Sequence, residues 1–243
     1  MRAGSPEGPL NLRPSPVLEV RRLTVSFDAS PIIQDLSVSV AAGESLAIIG
    51  PTGSGKTVFF RALIGALPYT GVIRWAHGAR IGYVPQKLDI ERELPVTGYD
   101  LLRARAHVAH APEDDVRSAP DLVTLGDDMA RKPIGTLSGG QFQRLLVAFA
   151  FLGRPNVLLF DEATAGIDEP GQAQLYERID RLARERHLTV LLISHELSLV
   201  YRHADRVLCI GHGRSYVGPP TEVLTPQKLE AVYGSPMKYH VHE

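Results

Sequence analysis

Two β-rich stretches, VLEVRRLTVSF and PIIQDLSVSV, mix branched aliphatic residues with polar ones, as half-buried strands do. AAGE then reads as a turn. SLAIIG follows without polar interruption, which predicts a short strand buried on both faces. Val58 to Leu67 has a helical pattern, and IGYVPQ reads as a strand that ends at a proline. From Lys87 to about Thr136 the pattern becomes charged and alanine-rich (LLRARAHVAHA, PDLVTLG), with breaks expected at Pro112, Pro120 and Gly126. This segment reads as an inserted helical lobe. Alternation then resumes: a helix from Gly139 to Leu152, strand NVLLFDE, helix PGQAQLYERIDRLARERH, strand LTVLLISHE, helix LSLVYRHA and strand RVLCIG, followed by a glycine-rich turn and YVG. Strands alternating with helices of this length predict an α/β fold. Its parallel sheet is covered on both faces, and ligands are expected at the carboxyl ends of the strands.

A chain of 243 residues can bury a sizeable core as one large domain, or one domain with an inserted lobe. With 26 basic against 27 acidic residues there is no basic field of the kind that recruits nucleic acid, and no nucleic-acid partner is expected. The single cysteine, Cys209, cannot form an intrachain disulfide and lies in the apolar run RVLCI, so it reads as core in a reducing compartment. The apolar run LLVAFAFLG is stopped by Arg154, Pro155 and Asn156, short of a membrane span. Residues 1–16 hold four prolines and no apolar core segment, so they read as a disordered leader rather than a signal peptide.

The chemistry begins at GPTGSGKT. It has the spacing of a phosphate loop and stands where such a loop works, between an apolar strand and a helix. Gly50, Gly53 and Gly55 let the backbone turn tightly enough to aim N–H groups at phosphate oxygens, with Pro51, Thr52 and Ser54 completing the loop. Lys56 adds charge and Thr57 a hydroxyl for Mg²⁺. VLLFDE then delivers two adjacent acids at a strand end. Period-two geometry points them in different directions, so Asp161 can address Mg²⁺ while Glu162 addresses a nucleophilic water. Without the phosphate loop, such a pair would read as a solvated turn. His195 and Gln86 close two more strands at the same edge, suited to the γ-phosphate and to Mg²⁺ or water respectively.

A second anion-binding pattern is LSGGQ. Ser138 and Gln141 have capping-box spacing, and Gly139 and Gly140 leave bare amides at the positive end of a helix. A helix start alone accounts for the serine and glutamine but not for the paired glycines.

With these motifs in family order, the chain resembles the ATP-binding subunits of ABC transporters from Val17 to about Tyr233. The matching residues are the phosphate loop, Gln86, LSGGQ at 137–141, VLLFDE at 157–162, AGID at 165–168 and His195. The resemblance implies a P-loop NTPase (RecA-like) core, an N-terminal antiparallel β subdomain and an inserted α-helical subdomain over about 87–155. The domain would run over 17–235, with a tail at 236–243. It implies ATP and Mg²⁺ as ligands, Phe27 as the ring that stacks on adenine, and Asp168 beside the nucleotide. It also implies a head-to-tail dimer of two copies, in which Ser138, Gly139, Gly140 and Gln141 of one chain cover the ATP held by the other. Ala163, Phe149 and Phe27 depart from the residues most frequent at their positions, and none of these removes a catalytic group.

The stretch IGYVPQKLDIERELPVT and the C-terminal EVLTPQKLEAVYG resemble the ATPases of zinc and manganese importers, and the latter also those of iron-chelate importers. That implies an ATPase peripheral on the cytoplasmic face of the cell membrane. Its partners would be a polytopic permease and, through it, an extracytoplasmic metal-binding protein. His240 and His242 in the tail HVHE read as solvated, since two histidines without a fixed third ligand bind metal weakly.

Overall fold

A computed structural model describes residues 16–28, 30–86, 94–162, 167–211 and 213–234. The expected leader up to residue 15, Ala163, the first two residues of AGID, and the tail histidines His240 and His242 lie outside them. The strands are β1 (Pro16–Phe27), β2 (Ser30–Ala41), β3 (Ser45–Ile49), β4 (Thr70–Trp75), β5 (Ile81–Val84), β6 (Val157–Asp161), β7 (Thr189–Ile193), β8 (Arg206–Gly211) and β9 (Arg214–Gly218). The helices are α1 (Lys56–Leu63), α2 (Gly98–Ala109), α3 (Glu113–Leu122), α4 (Asp127–Ala130), α5 (Gly139–Phe151), α6 (Glu169–Arg186), α7 (Leu197–His203), α8 (Pro220–Val223) and α9 (Pro226–Tyr233).

The strands form an antiparallel sheet in the order β2-β1-β4 and a six-stranded sheet in the order β5-β6-β7-β3-β8-β9. In the larger sheet every pairing is parallel except that of β9 with β8. Strand parity explains the uninterrupted apolar runs. In β6, Val157 and Leu159 enter the cluster that holds Phe59 and Phe60 of α1 and the β1–β2 residues, while Leu158 and Phe160 enter the cluster built on α2, α3, α5 and α6. β7 divides in the same way, with Leu191 and Ile193 on the first side and Val190 and Leu192 on the second. β3 places Leu46 and Ile48 against α1, and Ala47 and Ile49 against α7 and α9. Each of these strands has two apolar faces because each face has a layer to cover it.

Helices α2 to α5 lie between β5 and β6 in the chain, where the charged, alanine-rich pattern suggested a lobe. Three local expectations shift. Helix α1 begins at Lys56 rather than Val58 and ends at Leu63 rather than Leu67, because Gly55 enters it in a left-handed conformation and Gly65 (φ 73°) follows its last turn. Pro120 lies inside α3 and does not break it. Pro120 costs α3 the one i→i−4 bond that its N–H would donate, and the helix ends two residues later. Strand β4, which the sequence pattern did not signal, completes the antiparallel sheet along β1.

Candidate nucleotide site

The parallel order β5-β6-β7-β3 brings four strand ends to one edge of the sheet, and the chemistry gathers there. After β3 the backbone of Gly50 passes so close to β8 that a Cβ would stand 2.0 Å from the Ile210 carbonyl oxygen, which explains the glycine. The chain then turns through Gly53 and Gly55, both at positive φ, and enters α1 with no side chain capping its first turn. Those amides remain available to an anion. Lys56 is buried, and its Nζ donates to the carbonyls of Gly50 at 2.8 Å and Pro51 at 3.1 Å. Burial pulls its pKa below the usual lysine value, opposed by the nearby Glu162 and Asp161.

Asp161 continues the parity of Val157 and Leu159, so it faces α1. There Thr57 donates to its Oδ1 at 3.1 Å and Tyr83 of β5 donates to its Oδ2 at 3.2 Å. Burial pushes its carboxyl above the ordinary range, and the two hydroxyls pull against that. Glu162, one residue on and in a left-handed conformation (φ 45°), points elsewhere. Its Oε2 accepts from Gln86 Nε2 at 2.7 Å and its Oε1 lies 2.6 Å from His195 Nε2. The two acids thus serve two sets of partners.

A cleft of about 380 Å³ is lined by Thr52, Gly53, Gly55, Lys56 and Thr57 on one side and by Gln86, Glu162 and His195 on another, with Phe27 and Ile32 at its apolar end. The residues fit a nucleotide and a magnesium ion on structural grounds. The Ser54 hydroxyl is buried in the loop without a hydrogen-bond partner among the described residues. Nothing stands within 4 Å of a Cβ built on Gly53. The Thr57 hydroxyl and the Asp161 carboxylate form an all-oxygen pair, which suits Mg²⁺ shared with substrate phosphates. Phe27 is 47% exposed at the end of β1, so its ring face is free for stacking.

The second anion-binding pattern lies elsewhere. Ser138 caps α5, its Oγ accepting from Gln141 N at 3.2 Å while Gln141 Oε1 accepts from Ser138 N at 2.9 Å. Ser138 and Gly139 are exposed, and neither they nor Gly140 and Gln141 line the cleft of their own chain. Asp168 stands at the start of α6 without a side-chain cap bond and is also outside that cleft. The sequence reading missed Tyr83 and Ile32. Alternation in IGYV puts Tyr83 on the α1 side, but its meeting with Asp161 depends on strand order.

Residues 33–165 match the model of the family described as "ABC transporter". The chain belongs to the ABC transporter family. It is 43% identical over 223 residues to the zinc import ATP-binding protein ZnuC of Ruegeria pomeroyi, covering 91% of this chain and 85% of that one. It is 38% identical over 220 residues to ZnuC of a Jannaschia species, covering 90% and 89%. A solved inward-facing structure described as a metal-chelate type ABC transporter superposes with a TM-score of 0.81 at 24% identity, over 91% of this chain and 90% of that chain, and so shares its fold. The ABC transporter's ATP-binding fold thus accounts for both sheets and for the helices between β5 and β6. Among the described residues no helix is long and apolar enough to cross a membrane.

Proposed function

We propose that this chain is the ATP-hydrolysing subunit of a membrane importer for a divalent metal ion, zinc first and manganese as the alternative. Similarity to two zinc import ATP-binding proteins over 91% and 90% of the chain supports the cargo. The ATPase reading is carried by one observation: Glu162, held between Gln86 and His195, faces the same cleft as buried Lys56.

In this reading the loop amides and Lys56 bind the phosphates of ATP, and Phe27 stacks on the adenine. Thr57, Asp161 and Gln86 hold Mg²⁺. The metal supplies charge neutralisation at the phosphate oxygens. Glu162 accepts the proton of the attacking water, and His195 orients Glu162 and contacts the γ-phosphate. Because Ser138 to Gln141 are presented away from their own cleft, they complete the site of a second copy in a head-to-tail dimer, with Asp168 at the junction. A groove of about 700 Å³ next to α1 and α5, lined by Ile64, Trp75 and Phe149 among others, suits the permease contact. Arg105 lies 5.7 Å from the centre of the Phe149 ring there, and its buried Nε has no hydrogen-bond partner among the described residues. The subunit would work at the cytoplasmic face of the membrane, reaching an extracytoplasmic metal-binding protein through the permease.

The test is co-purification with a polytopic membrane protein, followed by Mg²⁺-dependent phosphate release from ATP by the complex and by zinc uptake into cells with and without the chain. A complex that hydrolyses no ATP would sink the ATPase reading. Uptake of zinc and manganese that is indifferent to the chain would sink the cargo.

A further inference from the structure

The two hydroxyls on Asp161 have different standing. Thr57 belongs to the phosphate loop and is itself read as a ligand of Mg²⁺. Tyr83 lies outside the phosphate loop, three residues before Gln86 in the stretch IGYVPQ, and the resemblance gives it no role. It sits on β5, whose register sets Tyr83 opposite Leu159 of β6, two residues before Asp161. Its ring packs edge-on against Phe60 of α1, with centroids 6.4 Å apart and planes at 84°. The phenol hydroxyl donates to Asp161 Oδ2 at 3.2 Å, and an ionised carboxylate can only accept, so the direction of this bond is fixed. The register of β5 on β6 sets where the hydroxyl sits.

A carboxylate that is 1% exposed has few ways to be held charged and oriented. Thr57 on Oδ1 alone would leave it free to swing about that bond. A second donor on Oδ2 fixes the carboxylate plane.

We propose that Tyr83 is a positioning residue for the magnesium ion, its hydroxyl holding the Asp161 carboxylate in the orientation that receives the metal. The inference rests on the reading of Asp161 as a metal ligand. Tyr83 touches neither nucleotide nor metal in this scheme.

Tyr83→Phe keeps the ring and removes the donor. Two bindings are measured on the full chain: ADP in EDTA, and Mn²⁺ to the ADP-saturated protein, by the loss of the free-ion paramagnetic signal. Mn²⁺ affinity should fall about tenfold, near the low end for a hydrogen bond to a charged group. ADP affinity in EDTA should stay unchanged. In turnover the Mg²⁺ concentration needed for half-maximal rate should rise by the same factor, with the rate at saturating Mg²⁺ close to wild type. Phe60→Leu, which loosens the neighbouring ring but keeps the hydroxyl, should keep the Mn²⁺ affinity. Unaltered Mn²⁺ affinity in Tyr83→Phe overturns the inference, and so does an equal loss of ADP affinity in EDTA, which would make the residue ordinary packing. Wild-type protein that takes up no Mn²⁺ with ADP overturns the metal reading of Asp161 and this inference with it. A normal wild type beside an unaltered variant overturns the inference alone.

Discussion

Glu162→Gln separates binding from chemistry. The carboxylate accepts from Gln86 at 2.7 Å and contacts His195 at 2.6 Å, with its side chain 15% exposed. The amide has nearly the same shape, but only one of its two terminal atoms accepts. One of the two contacts must therefore be lost or reversed, at a cost of about 1 kcal/mol, which in a chain of this size moves the melting temperature by about 2–4 °C. Removing the negative charge relieves Asp161 next to it, which offsets part of that loss. Folding and ATP affinity should thus survive. Turnover should not. Loss of a general base costs about 10² to 10⁴ in rate, equivalent to about 2.7–5.4 kcal/mol of barrier. With Mg²⁺ and ATP the variant should accumulate as a dimer in sedimentation velocity, while phosphate release falls by that factor and fluorescent ATP titration gives a near wild-type constant. Glu162→Asp is a harsher test of geometry, because a side chain one methylene shorter cannot reach both Gln86 and His195. Phosphate release within tenfold of wild type by Glu162→Gln, with ATP affinity intact, would show that the base lies elsewhere.

Asp161→Asn should abolish Mg²⁺-dependent turnover yet raise the melting temperature of the nucleotide-free protein. Burial lifts the folded pKa of Asp161 above its ordinary 3.8, so the wild-type carboxyl favours folding most at pH below that value and loses the advantage as pH rises through the folded pKa. The asparagine variant's lead in melting temperature should therefore grow from pH 4 towards neutrality, and a lead that shrinks would refute the sign. Gly50→Ala should cost about 1–3 kcal/mol because the new Cβ would stand 2.0 Å from a backbone oxygen, whereas Gly53→Ala meets open space and should cost about 1 kcal/mol of backbone strain. Equal melting temperatures for the two would contradict the close approach. Ser138→Arg and Lys56→Ala should each be inactive alone and partly active when mixed, since a mixed dimer pairs one intact phosphate loop with one intact LSGGQ. A Ser138→Arg homodimer at the wild-type rate would exclude a shared site.

What the sequence revealed was mostly what local chemistry decides. The capping box at Ser138 and Gln141 needs only four residues, and it forms as the spacing implies. The apolar runs of β3, β6 and β7 announced strands buried twice over, and parity along VLLFDE separated the directions of Asp161 and Glu162 before any fold was known. Strand β4 escaped because none of its six residues is fully buried and its alternation covers only Val72 to Trp75, with Ile73 and Trp75 turned to the core, too short a run to stand out. The start of α1 was placed two residues late because Lys56 and Thr57 were counted with the phosphate loop, whereas the left-handed Gly55 opens the helix directly before them. Tyr83 was hidden for a different reason. Its side of the strand was legible, but the lateral order β5-β6 that sets it beside Asp161 is a property of topology.

The phosphate-loop pattern and LSGGQ are built differently, which bears on why one chain carries both. The phosphate loop is built against its own fold: Gly50 is pressed on β8, Gly55 on Ile32 of β2, and Lys56 is anchored to carbonyls behind it. LSGGQ is built outward, with the Ser138 and Gln141 side chains turned back on the local backbone and Gly139 exposed. A loop meant for a ligand of its own chain would be expected to line a cleft, and this one does not line the cleft that holds Lys56. Its capping box fixes the entry to α5 while leaving the glycine amides uncovered by side chains, which is how a surface prepared for another molecule's anion should look. Arg144, on the same helix, donates to Val123 O at 2.9 Å and Thr124 Oγ1 at 2.6 Å and lies 3.4 Å from Gly171 O near the start of α6. The LSGGQ helix and the helix that opens at Asp168 are therefore tied together. In the proposed head-to-tail dimer, a second copy docking on LSGGQ would thus meet a helix linked through Arg144 to the start of α6.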